Sequence, residues 1–194
     1  ARQALGLGDE PLIVSCWGSL GAREMNKKIA QFMRCECEDG TPFHHIHATG
    51  SFGWRWMPDY VKEQGVDLAA HPALDMREYI YDMPQVLAAA DLIICRAGAA
   101  TIAEVCATGT PCIMVPSPNV TGNHQEKNAR VLEDAGAAAV VREADCDGRS
   151  LYETAKAILS DPERTGGMRT AARGMAVVDA AERIYQTAIE LARG

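Results

Sequence analysis

Six short runs of aliphatic and β-branched residues punctuate this chain, and each is followed by a segment of helical length or pattern. Strands separated by whole helices cannot close hairpins; they pair in parallel through right-handed crossovers. The runs are Pro11 to Trp17, Phe43 to Thr49, Val66 to Ala70, Asp91 to Cys95, Pro111 to Val115 and Ala137 to Val141. The unbroken apolar character of LIIC and CIMV fits a sheet covered on both faces. Helices are expected over residues 22–38, where Ile29, Phe32 and Met33 make an i, i+3, i+4 stripe, and over Trp54 to Gln64, with Gly65 as the stop. Further helices are expected at Pro84 to Ala90, Ala100 to Thr108 and His124 to Ala135. From about Ser150 the chain reads as helical, with breaks at Asp161-Pro162 and Gly166-Gly167. The expectation is an α/β fold, a doubly wound parallel sheet with C-terminal helices, forming one domain over residues 1–194.

Composition narrows the function. Hydrophobic residues make up 47% of the chain and charged residues 23%, which excludes a disordered chain. Nineteen Lys and Arg against 26 Asp and Glu argue against electrostatic capture of nucleic acid or anionic lipid. The longest apolar stretch, near Ala88, is cut by Asp91, far short of the roughly 20 residues of a membrane span. The first residues lack the basic and apolar regions of a secretory signal. The seven cysteines are odd in number and several sit in apolar runs, so they are expected as free thiols in a reducing compartment.

In a doubly wound sheet, ligands bind beyond the carboxyl ends of the strands, and three loops there carry candidate chemistry. Gly18-Ser19-Leu20-Gly21 opens the first helix with small residues that let backbone N–H groups approach an anion; a tight turn explains it equally well. Arg96-Ala97-Gly98-Ala99-Ala100-Thr101 follows DLIIC. There Gly98 is expected to take the unusual dihedrals of a turn, and Ala99, Ala100 and Thr101 to present unpaired N–H donors suited to a diphosphate. Glu104, three residues on, can accept from both hydroxyls of a ribose; Thr101 as a helix cap with Glu104 completing a capping box is the alternative. Pro116 to Gln125 is dense in polar groups able to hold sugar hydroxyls, with His124 and Gln125 opening a helix, Asn128 one turn further, and Asn123 as a possible cap.

Other motifs carry less. Asp145-Cys146-Asp147 matches the D-x-D of metal-dependent transferases, but Asp147 is expected to cap the following helix. Cys35, Cys37, His44, His45 and His47 lack zinc-ligand spacing, and strand alternation sets His44 opposite His45 and His47; a surface or edge cluster is expected. Trp54, Arg55, Trp56 and Met57 mark either an interaction surface or core packing. Ser15, Ser19 and Ser117 lack a G-x-S-x-G elbow, which argues against a hydrolase.

The segment from Cys95 to Val141, CRAGAATIAEVCATGTPCIMVPSPNVTGNHQEKNARVLEDAGAAAVV, resembles the C-terminal half of the MurG family, the N-acetylglucosaminyltransferases of peptidoglycan synthesis with a GT-B architecture. CWGSLGAREMN is similar to that family's GGSQGAR-type loop, and MREYIYDMPQVLAAADLIICRAG to its next block. The resemblance covers essentially the whole chain and is strongest from about 76 to 141. It implies a Rossmann-like half of a GT-B enzyme that binds UDP-N-acetylglucosamine, with no catalytic residue of its own and no metal. Ser19 would contact the donor diphosphate, the Ile80 backbone the uracil edge, and Arg96, Gly98, Ala99, Ala100 and Thr101 the phosphates and sugar. Glu104 would hold the ribose; His124, Gln125 and Asn128 would face N-acetylglucosamine. Trp17, Leu20 and Gly122 depart from the family pattern, and Trp17 is expected to narrow the room beside the phosphate loop.

Members of that family begin with a second α/β domain that binds the lipid-linked acceptor, carries a Gly-Gly-Thr-Gly-Gly-His loop and supplies the proposed base. The expectation is that this chain starts where the interdomain region ends, as an excised domain or as a natural half with a separate acceptor-binding partner. The base in the other half would activate the acceptor hydroxyl, which displaces UDP with inversion and converts lipid I to lipid II. The full-length protein is then expected in the cytoplasm, at the inner face of the plasma membrane, with no direct anchor in this chain. Two other readings remain: a non-catalytic nucleotide-sugar-binding subunit, and a dinucleotide-dependent oxidoreductase, which the missing G-x-G-x-x-G disfavours.

Overall fold

The structure, a computed structural model, describes residues 1–193. Its strands are β1 (Leu12–Cys16), β2 (His44–Ala48), β3 (Leu74–Arg77), β4 (Leu92–Cys95), β5 (Cys112–Met114) and β6 (Ala138–Val140). They form one sheet in the order β3-β2-β1-β4-β5-β6 with parallel pairing throughout. Its helices are α1 (Arg23–Glu38), α2 (Ser51–Trp54), α3 (Met57–Glu63), α4 (Met83–Ala89), α5 (Ala99–Thr108), α6 (His124–Asp134), α7 (Gly148–Leu159), α8 (Pro162–Gly174) and α9 (Ala180–Arg193).

The period-2 side-chain alternation of the central strands feeds two cores. Ile13, Leu92, Ile94 and Ile113 point to one face, where they meet Met25, Ile29 and Phe32 of α1 and Leu151 of α7. Leu12, Val14, Ile93 and Cys95 point to the other and meet Val86 of α4, Val105 of α5 and Ala129 of α6. The chain therefore leaves β1 and β4, neighbours at the centre, toward opposite faces. This is the topological switch point at which a crevice opens. At the amino end of the sheet, Asp91 ties the periphery together: Arg2 and Arg169 each reach its carboxylate at 3.0 Å, and the Leu12 amide donates to it at 2.9 Å.

Three expected elements differ. The third strand is Leu74–Arg77, not Val66 to Ala70. Asp67 accepts from the Ala69 amide at 3.0 Å and turns the chain there, while Val66 is a buried anchor at the end of a loop. The true strand lies at the sheet edge, where LDMR need not be apolar because only Leu74 is fully covered. The expected helix over Trp54 to Gln64 is two short ones, with Pro58 in the first turn of α3 setting the new start. Gly166-Gly167 does not break α8: Asp161 caps it through the Arg164 amide at 2.9 Å, and Met168 and Ala172 anchor it. All seven cysteines are free thiols, and no helix among the described residues is long and apolar enough to cross a membrane.

Candidate functional site

At the switch point the loops after β1, β3 and β4, with the end of β2, enclose a cleft of about 230 Å³. Ser19, Ile80, Ala100, Thr101 and Glu104, five residues singled out from sequence, line it together. Cys16, Gly18, Ala48, Tyr79, Met83 and Ile93 complete its walls; Tyr79 and Met83 lie beside Ile80 in the EYIYDM stretch, a signal the sequence offered.

Each wall has a local cause. Gly98 ends the β4 turn and α5 starts at Ala99, so the first backbone bond closed is Ile102 N–H to the Gly98 carbonyl at 3.0 Å. Among the described residues the amides of Ala99, Ala100 and Thr101 have no backbone acceptor. No side chain caps this helix start, so the expected alternative of a Thr101–Glu104 capping box is not formed. Three N–H donors on the positive end of a helix suit an anion. One turn on, the Glu104 carboxylate is exposed and has no ion pair among the described residues. It stands near enough to the cleft floor to help raise the Cys16 thiol, which burial first and Glu104 second push up to about 12. Cys16 is thus an inert apolar wall rather than a nucleophile.

Gly98 differs from expectation in a way that sharpens its role. Its φ of −73° and ψ of 148° are open to any residue. A Cβ there would meet protein only at Thr101 Oγ1, 4.0 Å away. The fold does not require glycine there, and the space above it is open. Gly98→Ala should leave the melting temperature unchanged and weaken an anion held at this helix start about tenfold, or about 1.4 kcal/mol; paired thermal melts and calorimetry check it.

Other singled-out residues hold the loops. Arg96 turns to the α1 face, donates to the Val115 carbonyl at 3.1 Å, pairs with Glu143 at 2.6 Å and lies over the Trp17 ring at 5.6 Å. Trp17 is 5% exposed within the α1-face core, so it does not narrow the cleft as its departure from the family pattern suggested. Gln125 Oε1 accepts from the Ser117 amide at 2.9 Å, and Asn128 donates to the Ala97 carbonyl at 3.3 Å, tying α6 to the loop before α5. His124 is exposed at the start of α6, its Nδ1 2.9 Å from the Thr121 carbonyl. Asn123 precedes α6 without capping it and donates to Glu126 at 2.7 Å. Asp147 caps α7 in a reciprocal capping box with Ser150.

The histidine cluster is not at the surface. His45 and His47 are fully buried under β1, because β2 is an interior strand and its inward face packs on α1. Glu36 Oε2 meets His45 Nδ1 at 2.9 Å, His45 Nε2 meets Ser15 Oγ at 2.8 Å, and Ser15 Oγ meets His47 Nδ1 at 2.7 Å. A carboxylate, an imidazole and a hydroxyl in series resemble a nucleophilic triad, yet all are closed to substrate. Burial first, and His45 second, hold His47 down to about 3. An unfolded histidine titrates near 6.5, so the unfolded chain takes up a proton that folded His47 refuses. Stability should therefore fall as pH drops below about 6.5 toward 3, and be unaffected by this group above that range. Half-buried His44, held down chiefly by desolvation, acts in the same direction. Melting curves at about pH 7 and about pH 5 should show the drop, and His47→Gln should reduce the slope.

The sheet order and the cleft define a Rossmann-like half of a GT-B architecture. The model of the glycosyltransferase family 28 C-terminal domain matches residues 12–184, and the chain belongs to that family. It is 39% identical over 95% of its length to a UDP-N-acetylglucosamine–N-acetylmuramyl-(pentapeptide) pyrophosphoryl-undecaprenol N-acetylglucosamine transferase of Caldanaerobacter subterraneus, covering 50% of that protein. It is 41% identical over 99% of its length to the Salinibacter ruber enzyme of the same name, again covering 50%. The chain thus spans about half the length of these curated relatives. Among solved structures, Acinetobacter baumannii MurG superposes with a TM-score of 0.76 at 26% identity, over 93% of this chain and 52% of that one. A Neisseria meningitidis UDP-GlcNAc 2-epimerase, solved with UDP-GlcNAc bound, shares the fold at a TM-score of 0.67 and 14% identity, over 97% of this chain and 47% of that one.

Proposed function

We propose that residues 1–194 form the donor-binding domain of an inverting N-acetylglucosaminyltransferase that uses UDP-N-acetylglucosamine to convert lipid I to lipid II in peptidoglycan synthesis. The observation that carries this reading is one cleft in which Ala100 and Thr101, at the uncapped start of α5, stand with a Glu104 carboxylate that has no ion pair among the described residues. An anion and a vicinal diol, one helical turn apart, are what a nucleoside diphosphate offers. The Ile80 backbone takes the uracil edge, Glu104 the ribose, and the α5 amides the diphosphate. Ser19 adds a hydroxyl from the opposite wall. The sugar then points toward the loop that leads into His124 and Gln125.

In this reading the helix start also stabilises the departing UDP, whose charge grows as the glycosidic bond breaks. The base that activates the acceptor's hydroxyl belongs to the other half of the longer protein, so this chain alone binds donor without turning it over. The longer protein works at the inner face of the plasma membrane, where a lipid-linked acceptor is reached. Backbone dipoles take the place of a metal. Calorimetric titration of the chain with UDP-N-acetylglucosamine, UDP-glucose and NAD, each with EDTA present, tests the whole reading. Preferential binding of UDP-N-acetylglucosamine, unaffected by EDTA, is expected. Binding of NAD alone overturns the donor assignment, and a strict need for magnesium overturns its metal-free form.

A further inference from the structure

A second cavity opens at the same carboxyl end of the sheet, on the α1 face, and its volume of about 530 Å³ exceeds that of the cleft. Its walls are Glu24 and Lys28 on α1, Ser117 and Asn123 on the loop after β5, and Arg142 and Glu143 after β6. The loop after β5 is also the one that leads to His124 and Gln125, so this cavity begins where the transferred sugar ends in the reading above.

Its charges are matched with one exception. Glu143 is held by Arg96 at 2.6 Å, Glu126 by Arg142 at 3.2 Å, and Glu24 by Lys27 at 2.9 Å. Lys28 has no carboxylate partner among the described residues; its Nζ donates to the Glu143 carbonyl and lies 3.8 Å from Cys146 Sγ. A partly buried ammonium answered only by a carbonyl and a thiol is a counter-ion in waiting. Beside it the chain turns through two left-handed residues, Gly122 at φ 63° and Asn123 at φ 52°, a conformation asparagine adopts more readily than other residues with a Cβ.

The relatives' names specify an acceptor that bears a pentapeptide. We propose that this cavity receives the carboxylate-bearing peptide of the acceptor, with Lys28 as its counter-ion and Arg142 at the rim; this rests on the transferase reading. Three carboxylates in the walls would repel a pyrophosphate but accommodate a peptide that carries both signs of charge.

The test is amide chemical-shift mapping on the chain, first with UDP-N-acetylglucosamine alone and then with soluble N-acetylmuramyl-pentapeptide added. The donor step reports the underlying reading by itself: without shifts at Thr101 and Glu104, the donor assignment fails before the peptide is examined. The peptide is then expected to shift Lys28, Ser117 and Asn123. Amidating its carboxylates, or Lys28→Gln, should weaken it about tenfold, and Lys28→Arg should restore it. Donor shifts at Thr101 show that each variant is folded. Peptide shifts confined to the cleft, no peptide shifts, an affinity indifferent to amidation, or stronger binding of inorganic pyrophosphate at the same amides would each overturn the proposal.

Discussion

Glu104→Ala should weaken UDP-N-acetylglucosamine binding by roughly 10- to 100-fold while moving the melting temperature by no more than about 2 °C. The asymmetry follows from where the carboxylate stands. It is exposed on α5, and among the described residues it has neither an ion pair nor a side-chain hydrogen bond, so the folded chain loses nothing when it goes. A ribose diol that donates to it loses charge-assisted hydrogen bonds, each worth about 1.5–3 kcal/mol when a charged group is involved. Glu104→Gln should fall between, because the amide keeps one acceptor oxygen and gives up the charge. Calorimetry paired with thermal melts separates the two effects. Unchanged donor affinity in the alanine variant would remove the ribose role.

The opposite pattern is expected of Gly50→Ala, which should cost about 4 kcal/mol and lower the melting temperature by roughly 8–16 °C. Gly50 has φ 74°, and a Cβ there would stand 2.1 Å from the Gly21 nitrogen; a Cβ on Gly21 would in turn stand 2.1 Å from the Thr49 carbonyl oxygen. The loops leaving β1 and β2 are in backbone contact, locked by the Ser51 amide donating to the Ser19 carbonyl at 3.0 Å. An added methyl must separate them and pull Ser19 and Ala48 out of the cleft wall, so donor affinity should fall together with stability. Gly40→Ala is the control. Its φ of 78° is similar, but nothing lies within 4 Å of the new Cβ, so it should cost only the conformational penalty of about 1–2 kcal/mol.

The reach of the sequence can be judged from these residues. The alternation of LIVSC, LIIC and CIM with helical segments dictated a parallel doubly wound sheet, because interior strands must be apolar on both faces. The cleft residues were legible for the same reason: loops at the carboxyl ends of central strands diverge to opposite faces wherever the strand order reverses, and a crevice opens between them. The edge strand Leu74–Arg77 was not legible, since an edge position relaxes the apolar requirement and leaves a mixed LDMR pattern. The burial of His45 and His47 was hidden because it depends on Glu36 from α1 and Ser15 from β1, partners brought together only by the fold. Likewise, no local pattern shows that Arg96 leaves the cleft side for Glu143 on the opposite face, or that Trp17 packs beneath it. For Gly98 the residue type was noticed but its reason was misjudged: the backbone there is ordinary, and what glycine offers is open space.

The central claim is that one cleft at the β1–β4 switch point holds the donor nucleotide, and a crystal structure of the chain with UDP-N-acetylglucosamine tests it most directly. The account predicts ribose hydroxyls on the Glu104 carboxylate, diphosphate oxygens on the amides of Ala99, Ala100 and Thr101, and the uracil edge at the Ile80 backbone. A nucleotide bound elsewhere, such as in the larger cavity beside Lys28, with the α5 amides left to solvent, would contradict it.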